Sequence, residues 1–337
     1  MVNIGIIGLG YWGPNYLRIV RELEHCRVSH CCDLDEKALE RAKLIAPEIK
    51  ITKDFRKVAE DPETDAVIIT TPLNTHYKIG KFCLEHGKHV LVEKPFTSSS
   101  KEARALAKIS EKNDLVLMAG HVYEYHPAVR KLKEEIKAGK LGDVYYMSAE
   151  RVGLGPIRKY ASALWDLATH DISIALYLFE RMPREVSAQS ESYIQKKVPD
   201  VVFLTMKFPG DILCNIHASW IAPEKIRKVT LVGKKGIEGF DDVNKTKMLK
   251  IYEREIDKSL LNSTPKYIDH QRIVKIGNVY MPPVEQSEPL RIQCEHFIEC
   301  ILKNRRPATD AMDGLKVIKI LEVAEKSIRK RREGKFR

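Results

Sequence analysis

The chain has 337 residues, of which 44% are hydrophobic and 31% are charged, a composition typical of a globular protein of two domains and unlike that of a disordered chain. The formal net charge is +11. No apolar run reaches the roughly 18 residues that cross a bilayer, and no targeting pattern precedes the first strand. We therefore expect a cytoplasmic protein without a membrane partner.

Basic residues crowd the segment 326–337, which would suit either nucleic acid or the solvated end of a helix. We favour the helix end and expect no nucleic acid partner, because no helix-turn-helix or zinc-finger pattern accompanies the charge. The seven cysteines form no CxxC pair, which indicates a reducing compartment. A zinc site from His25, Cys26, His30 and Cys31 is an alternative, but the spacing fits a tetrahedral site poorly and we expect no metal.

The first third of the chain alternates short apolar strands with amphipathic helices. Strands are predicted at "VNIGIIG", "RVSHCC", "DAVIITT", "KHVLVE" and "LVLMAG", and each is followed by a segment with helical spacing of apolar residues. This alternation predicts an α/β Rossmann fold, a doubly wound parallel sheet with helices on both faces. We place this domain at residues 1–122.

The pattern changes after Gly142. Strands are predicted at "DVYYMSAERV", "REVSAQSESYI", "DVVFLTMKF", "DILCNIHASWI", "RKVTLVG" and "KMLKIYERE". They predict that residues 123–337 form an α+β domain with a large, mostly antiparallel open sheet. The stretch 241–289 is predicted to be a long loop or an oligomer arm. Two helical segments end the chain, and the last helix could pack back on the first domain.

Three glycines, Gly8, Gly10 and Gly13, follow the first strand in the pattern G-x-G-x-x-G, with Tyr11 and Trp12 inside the same loop. Between a strand and a helix, such glycines allow a tight turn and the close approach of a pyrophosphate, while the helix N-terminus offers unpaired N–H groups. The alternative is that the glycines serve only the turn. The strand-loop-helix context favours a dinucleotide-binding loop.

An acidic residue, Asp33, ends the second strand at about the 20-residue distance expected of the side chain that hydrogen-bonds an adenosine ribose. Asp35 and Glu36 follow it, and no arginine stands directly beside it. A 2'-phosphate would be repelled there, so the sequence favours NAD over NADP. The alternative for Asp33 is a helix cap.

The segment "TTPLNTH" begins at the end of the predicted strand "DAVIITT", in the crevice where open parallel sheets bind ligands. Thr71 and Pro72 are predicted to shape the turn, and Asn74 and His76 to reach the cofactor. The alternative for Asn74 or Thr75 is a helix N-cap.

The predicted strand "KHVLVE" continues into "KP" and brings Lys94 to the same carboxyl edge of the sheet. Pro95 cannot continue the ladder, and a cis bond there would fix the direction of the lysine. A lysine beside a cationic nicotinamide would exchange protons near neutral pH, which suits alcohol oxidation. The alternative is a Glu93–Lys94 ion pair that only closes the strand.

The segment "WDLATHDISIALYLFE" is predicted to be a helix with Asp166 and His170 on one face and Ser173 and Tyr177 continuing that face. A histidine titrates near neutrality, and an Asp one turn earlier can orient it and stabilise the imidazolium. The alternative is an ordinary surface histidine.

The motifs "GLGYWG", "TTPLNTH", "EKP", "AGHVYEYHPAV" and "WDLATHD" together resemble those of the glucose-fructose oxidoreductase, inositol dehydrogenase and MocA family, over essentially the whole chain. The resemblance implies an enzyme that oxidises or reduces a carbinol with NAD(P). It also implies that Lys94, Asp166 and His170 are catalytic. A homodimer or homotetramer formed through the broad face of the second sheet is expected on the same ground.

The sequence departs from this family after the predicted strand "LVLMAG", where many sugar-oxidising members carry an arginine and this chain has "GHVYEYHP". It is most similar to the branch of UDP-N-acetylglucosamine or uronate 3-dehydrogenases. Arg151, Arg158 and Lys159 could then meet a diphosphate or a carboxylate, although loop solvation explains them equally well.

We therefore expect an NAD-dependent oxidoreductase that oxidises a ring hydroxyl at C3 of a nucleotide-linked sugar. The alternatives are a free-sugar or inositol dehydrogenase and a non-catalytic NAD-binding sensor. The expected cofactor-binding residues are Gly8, Gly10, Tyr11, Trp12, Gly13, Asp33, Thr71, Pro72, Asn74, His76, Glu93, Lys94 and His121. The expected substrate-binding residues are Lys94, Tyr123, Arg151, Arg158, Asp166 and His170.

Overall fold

A computed structural model of the chain describes residues 1–158, 161–256 and 274–330. The chain divides into two compact units, the first formed by Met1–Tyr125 with Ser287–Glu322 and the second by His126–Gln286 with Val323–Arg337. The boundary expected after residue 122 lies near the first of these divisions, and the last helix was expected to be able to pack back on the first domain. A whole segment near the end of the chain returns to the first unit, because its apolar helix face completes the first core.

The first unit contains a parallel sheet of six strands in the order β3-β2-β1-β4-β5-β6, which is the doubly wound order and confirms the predicted Rossmann fold. The strands are β1 (Val2–Ile7), β2 (Cys26–Cys32), β3 (Lys50–Thr52), β4 (Ala66–Ile69), β5 (His89–Glu93) and β6 (Leu117–Gly120). The helices are α1 (Gly13–Glu22), α2 (Glu36–Ile45), α3 (Phe55–Glu60), α4 (Leu73–Glu85) and α5 (Ser100–Lys112).

The core of the first unit lies between this sheet and its helices. Ile4, Ile6, Ile68 and Leu91 of the strands are fully buried, as a parallel sheet covered on both faces requires. Phe297 of the later helix α8 (Pro289–Leu302) joins the same cluster. Each such side chain contributes about 1.5–3 kcal/mol of transfer free energy, so the returning segment is part of the fold of this unit.

The second unit contains an open sheet of eight strands among the described residues, in the order β14-β13-β12-β11-β7-β10-β9-β8. The strands are β7 (Val144–Leu154), β8 (Glu185–Glu191), β9 (Val201–Lys207), β10 (Leu213–Ser219), β11 (Ile221–Gly233), β12 (Gly236–Asp241), β13 (Leu249–Ile256) and β14 (Val274–Tyr280). The β7–β10 pair is parallel and the other pairs are antiparallel, which confirms the predicted mostly antiparallel sheet.

The stretch 241–289 is thus not simply a loop, because β13 and β14 pair within it. Residues 257–273 of that stretch lie outside the described part. Helices α6 (Pro127–Lys137) and α7 (Thr169–Phe179) pack on each other and against β12 and β7 respectively, and α9 (Ala311–Lys330) is the last helix. No helix in the described part of the chain is long and apolar enough to span a membrane. All seven cysteines are free and buried.

Candidate active site

The glycine loop joins β1 to α1, and its three glycines are needed for different reasons. Gly8 has a φ of +99°, and a Cβ at Gly13 would lie 2.2 Å from the carbonyl oxygen of Gly8. No other side chain fits these two positions without moving backbone. A Cβ at Gly10 would meet no atom within 4 Å, so the middle of the loop is open to a ligand. Tyr11 is exposed and Trp12 is half-buried, edge-on to it.

Asp33 follows β2 and closes this loop. Its carboxylate accepts hydrogen bonds from the backbone N–H of Leu9 (2.5 Å) and of Asp35 (2.8 Å). Because a carboxylate has about four acceptor sites, it can still accept from a ribose hydroxyl. Helix α2 is capped instead by Asp35, which accepts from the N–H of Lys37 at 3.0 Å. The loop and its acidic residue therefore lie together, as the spacing predicts.

The turn after β4 is built by side chains that bind the backbone. Thr70 donates to the carbonyl of Gly8 at 2.6 Å, and Thr71 accepts from the hydroxyl of Thr75 at 2.7 Å. Pro72 is the N-cap residue of α4, and Asn74 is exposed in its first turn. The sequence did not single out Thr70, which links the turn to the glycine loop.

His76 lies between two turns of the first unit. It is buried, with Nε2 2.7 Å from the carbonyl oxygen of Thr71 and Nδ1 2.9 Å from that of Pro95. Burial lowers the pKa of its imidazole, and the neutral ring can donate to only one of the two carbonyls. Its ring nitrogens join the turns that follow β4 and β5, and the contact of His76 with a cofactor stays a prediction.

The end of β5 carries Glu93, Lys94 and Pro95, and the Lys94–Pro95 peptide bond is cis. Lys94 is half-buried, whereas Glu93 is buried. The Glu93 carboxylate accepts from the hydroxyl of Tyr16 at 2.7 Å and from the backbone N–H of Lys94 at 3.0 Å. Burial raises the pKa of Glu93. Glu93 was expected either to pair with Lys94 or to contact a cofactor. These hydrogen bonds favour a role in holding Lys94.

A buried histidine with two acids follows β6. Nδ1 of His121 lies 2.7 Å from Asp313 Oδ2 at the start of α9 and 3.5 Å from Glu124 Oε1. Although burial acts to lower it, these carboxylates raise the pKa of His121 to about 10, so the ring is an imidazolium at neutral pH. Burial, together with Asp313, raises the pKa of Glu124 to about 8. Tyr123 is buried in the same 3-10 turn, Val122–Tyr125.

Possible ligand atoms of these three side chains lie within 4.8 Å of one another, the one such group in the part of the chain that the structure describes. The protonated ring of His121, whose Nδ1 lies near the carboxyl groups of both Glu124 and Asp313, accounts for the short distances among the three side chains. Asp313 was not predicted, since it lies 192 residues from its partner His121.

In the second unit, Asp166 lies in a π-helical turn, Leu164–Ala168, that continues directly into α7. The sequence predicted an ordinary helix here. Such π turns are frequent at functional sites. Asp166 accepts from the indole N–H of Trp220 at 3.3 Å, and the guanidinium of Arg158 lies 3.7 Å away. His170 is half-buried one turn further along.

Arg151 has a buried position and a buried partner. It is buried on β7, and its guanidinium donates two hydrogen bonds to Asp171, at 2.8 and 2.9 Å. This buried ion pair uses two of the guanidinium's donors, and contact of Arg151 with the substrate stays a prediction. Arg158 is half-buried beside Asp166, and Lys159 lies outside the described residues.

The polar face predicted for α7 is only partly open. Ser173 is buried and donates to the carbonyl of His170 at 2.8 Å. The ring of Tyr177 is covered by Lys133 of α6, whose ammonium lies 3.8 Å from the ring centre. Asp166, His170 and Tyr177 are each half-buried, and Ser173 is the fully buried member of this face.

Two family models match the chain. Residues 2–121 match the oxidoreductase family with an NAD-binding Rossmann fold, and residues 129–237 match the GFO/IDH/MocA C-terminal domain. The chain belongs to the GFO/IDH/MocA oxidoreductase family. Together with the open glycine loop and Asp33, this membership makes it an NAD-binding oxidoreductase and confirms the predicted family.

Several proteins named as dehydrogenases are similar to this chain. A UDP-N-acetylglucosamine 3-dehydrogenase of Acidithiobacillus ferrooxidans is 30% identical over 256 residues, which are 75% of this chain and 77% of that protein. An NADP-dependent scyllo-inositol 2-dehydrogenase of Bacillus subtilis is 23% identical over 98% of this chain and 95% of that one. A solved structure of the Acidithiobacillus enzyme has a TM-score of 0.81 at 24% identity and 97% coverage of both chains, which shows the shared fold.

Proposed function

We propose that this protein is an NAD-dependent dehydrogenase that oxidises a ring hydroxyl, at C3, of a nucleotide-linked sugar such as UDP-N-acetylglucosamine or its uronate. The observation that carries the proposal lies in the first unit. Adjacent strands β1, β4 and β5 deliver the open glycine loop, the Thr71 turn and Lys94 to one edge of the sheet. Such an edge is where doubly wound sheets bind dinucleotides and their substrates.

The residues fit a bound dinucleotide. The N–H groups of the glycine loop and the N-terminus of α1 would hold the pyrophosphate, and Asp33 would accept from the adenosine ribose. Asp33, Asp35 and Glu36 would repel a 2'-phosphate, which supports NAD over NADP. When bound, NAD supplies the hydride acceptor for the carbinol carbon.

The chain's own residues supply the proton chemistry. Lys94 binds the reacting hydroxyl, and His170 accepts its proton as general base. Asp166, with one carboxylate oxygen fixed by Trp220, orients the site. Arg158 contacts the acidic part of the substrate, a diphosphate or a uronate carboxylate, since a guanidinium pairs well with either. Tyr123 remains a candidate substrate contact on the basis of the sequence.

The experiment begins with mass spectrometry of ligands retained by gently purified protein, which should detect NAD. NADH absorbance is then followed with UDP-N-acetylglucosamine, its uronate, myo-inositol and glucose. Turnover with a UDP-sugar should fall about 10²–10⁴-fold in Lys94→Ala, the range for loss of an acid–base group. Lys101→Ala, an exposed lysine of α5, is the matched control and should leave turnover unchanged.

An inositol dehydrogenase is the second candidate, because an inositol enzyme matches nearly the whole chain. Turnover of myo-inositol without turnover of any UDP-sugar would select it. Retained NAD without turnover of any substrate would favour a sensor instead. Near wild-type turnover in Lys94→Ala would contradict the assigned chemistry.

We also propose that the protein is a homodimer or homotetramer that associates through the open face of the second sheet. Tyr146, Phe203 and Leu213 are large side chains exposed on this face, and strand pairing places them on the same side. Exposed apolar patches of this kind mark association surfaces. Phe203→Glu should shift the sedimentation-equilibrium mass toward the monomer, and an unchanged mass would contradict this surface.

A further inference from the structure

A buried polar chain backs the peptide of Lys94. The hydroxyl of Tyr16 on α1 donates to Glu93 at 2.7 Å, and the side-chain amide of Gln293 on α8 donates to that hydroxyl at 2.8 Å. The second oxygen of Glu93 accepts from the N–H of Lys94 at 3.0 Å. Three segments far apart in the sequence thus meet directly behind the candidate catalytic residue.

This chain lies in apolar surroundings. Tyr16 and Gln293 are both 0% exposed, and Tyr16 belongs to the same buried hydrophobic cluster as Leu290 and Phe297 of α8. Burying an amide or a hydroxyl disfavours folding unless it is hydrogen-bonded, and phenylalanine and leucine would fill the same space without that penalty. Core packing alone therefore does not account for polar side chains at both positions.

The hydrogen bond from Tyr16 also affects the ionisation of Glu93, together with the other titratable groups around that carboxyl. Tyr16 faces it from α1, Cys294 from α8, His121 from the end of β6, and Lys94 follows it along the chain. Burial raises the pKa of Glu93, while the Tyr16 hydrogen bond, Lys94 and His121 act in the opposite direction. Without the Tyr16 hydroxyl, the carboxylate would lose one of the groups that stabilise its ionised form.

We propose that Tyr16 and Gln293 are positioning residues, which act through Glu93 to hold the peptide and side-chain direction of Lys94. This inference rests on the proposed function, because it takes Lys94 as the catalytic lysine. Tyr16 occupies one oxygen of the Glu93 carboxylate, so the other oxygen stays directed at the Lys94 N–H. Gln293 in turn fixes the orientation of the Tyr16 hydroxyl.

The test compares two buried tyrosines of the same unit. Tyr16→Phe removes the hydroxyl behind Glu93, and Tyr125→Phe removes one that lies 3.0 Å from Thr309. Tyr16→Phe should lower kcat about tenfold with KM within about twofold, equivalent to about 1.4 kcal/mol in the transition state. It should also move the acidic limb of the kcat profile to higher pH. Tyr125→Phe should change neither quantity.

A readout that needs no turnover uses the free protein. Isotope-edited infrared titration with labelled glutamate should show the buried carboxyl ionising at higher pH in Tyr16→Phe than in wild type or Tyr125→Phe. If Tyr16→Phe does not fold, Gln293→Met is the second variant, with the same direction of change and a smaller size. It keeps the side-chain volume and removes the donor.

The inference is overturned if wild type is active, Lys94→Ala is not, and Tyr16→Phe behaves like Tyr125→Phe in kcat, pH profile and infrared titration. Failure of the proposed function has a different signature. Lys94→Ala then matches wild type, and the inference falls with it because Lys94 would have no catalytic role to position.

Discussion

In the first unit the candidate residues stand where strands of a regular parallel sheet end, whereas in the second unit they lie along one helix whose surroundings come from distant strands. The glycine loop, Asp33 and Lys94 belong to successive βα segments. Asp166 accepts a hydrogen bond from Trp220 at the β10–β11 junction, and Asp171, which follows His170 in the sequence, pairs with Arg151 of β7. The candidate residues of the first unit can therefore be recognised from short sequence motifs. Those of the second unit can be understood only from contacts between residues far apart in the sequence.

The largest effect expected in the second unit is on the candidate base. His170→Ala should lower kcat by about 10²–10⁴-fold, the range for loss of a general base. His86→Ala, an exposed histidine of the first unit, is the control and should leave steady-state kinetics unchanged. A His170→Ala variant with wild-type kcat would confine the chemistry to the first unit.

The buried ion pair between Arg151 and Asp171 should contribute strongly to the stability of the second unit. Asp171→Ala leaves the buried guanidinium of Arg151 without its carboxylate and should reduce the free energy of unfolding by about 3–5 kcal/mol, measured by urea denaturation. The surface pair Arg329–Glu325 is the comparison, and Glu325→Ala should change the same quantity by less than about 0.5 kcal/mol. Equal effects of the two substitutions would contradict a buried structural pair.

The second unit also buries an acid beside another acid. Glu238 on β12 has no hydrogen-bond partner among the described residues, and burial together with Glu135 raises its pKa to about 8. Lys131 and Lys140 pair with Glu135. Because the folded pKa lies above the unfolded value of 4.5, the stability that protonated Glu238 contributes is complete below that value and is lost as pH rises through about 8.

Glu238→Gln should therefore gain stability relative to wild type as pH rises from 4.5 to about 8, and the difference should level off above that. The gain at pH 9 should be about 3–5 kcal/mol, since a shift from 4.5 to about 8 is about 3.5 pKa units of about 1.4 kcal/mol each. Glu185→Gln, at an exposed position of β8, should give a flat difference across pH. A flat difference for Glu238→Gln as well would contradict the raised pKa.

The smallest expected effect concerns the first unit. Asp33→Ser should weaken NAD binding about tenfold, about 1.4 kcal/mol, and reduce the preference for NAD over NADP, measured by titration calorimetry. Glu40→Ser, an exposed residue of α2, should leave both affinities unchanged. An unaltered NAD/NADP ratio in Asp33→Ser would show that Asp33 only closes the loop.

Local pattern was enough to predict the glycine loop, Asp33, Lys94 and the strand-helix alternation, because each depends on neighbours within one βα unit. It could not supply Gln293, which lies 277 residues from Tyr16, or Trp220, which lies 54 residues from Asp166. Charge alone placed Arg151 on the surface, and only the fold revealed Asp171 as its buried partner. Of the return of residues 287–322 to the first unit, the sequence suggested only that the last helix could pack there, and it did not suggest that the helix before it would.

Oxidation at C3 is tested with UDP-N-acetylglucosamine deuterated at that carbon, incubated with the protein and NAD. The NADH that forms is then analysed by mass spectrometry, with Lys94→Ala as the control. We expect one deuterium in the NADH formed by the wild-type protein and no NADH above background from Lys94→Ala. NADH without deuterium from the wild-type protein would contradict oxidation at C3.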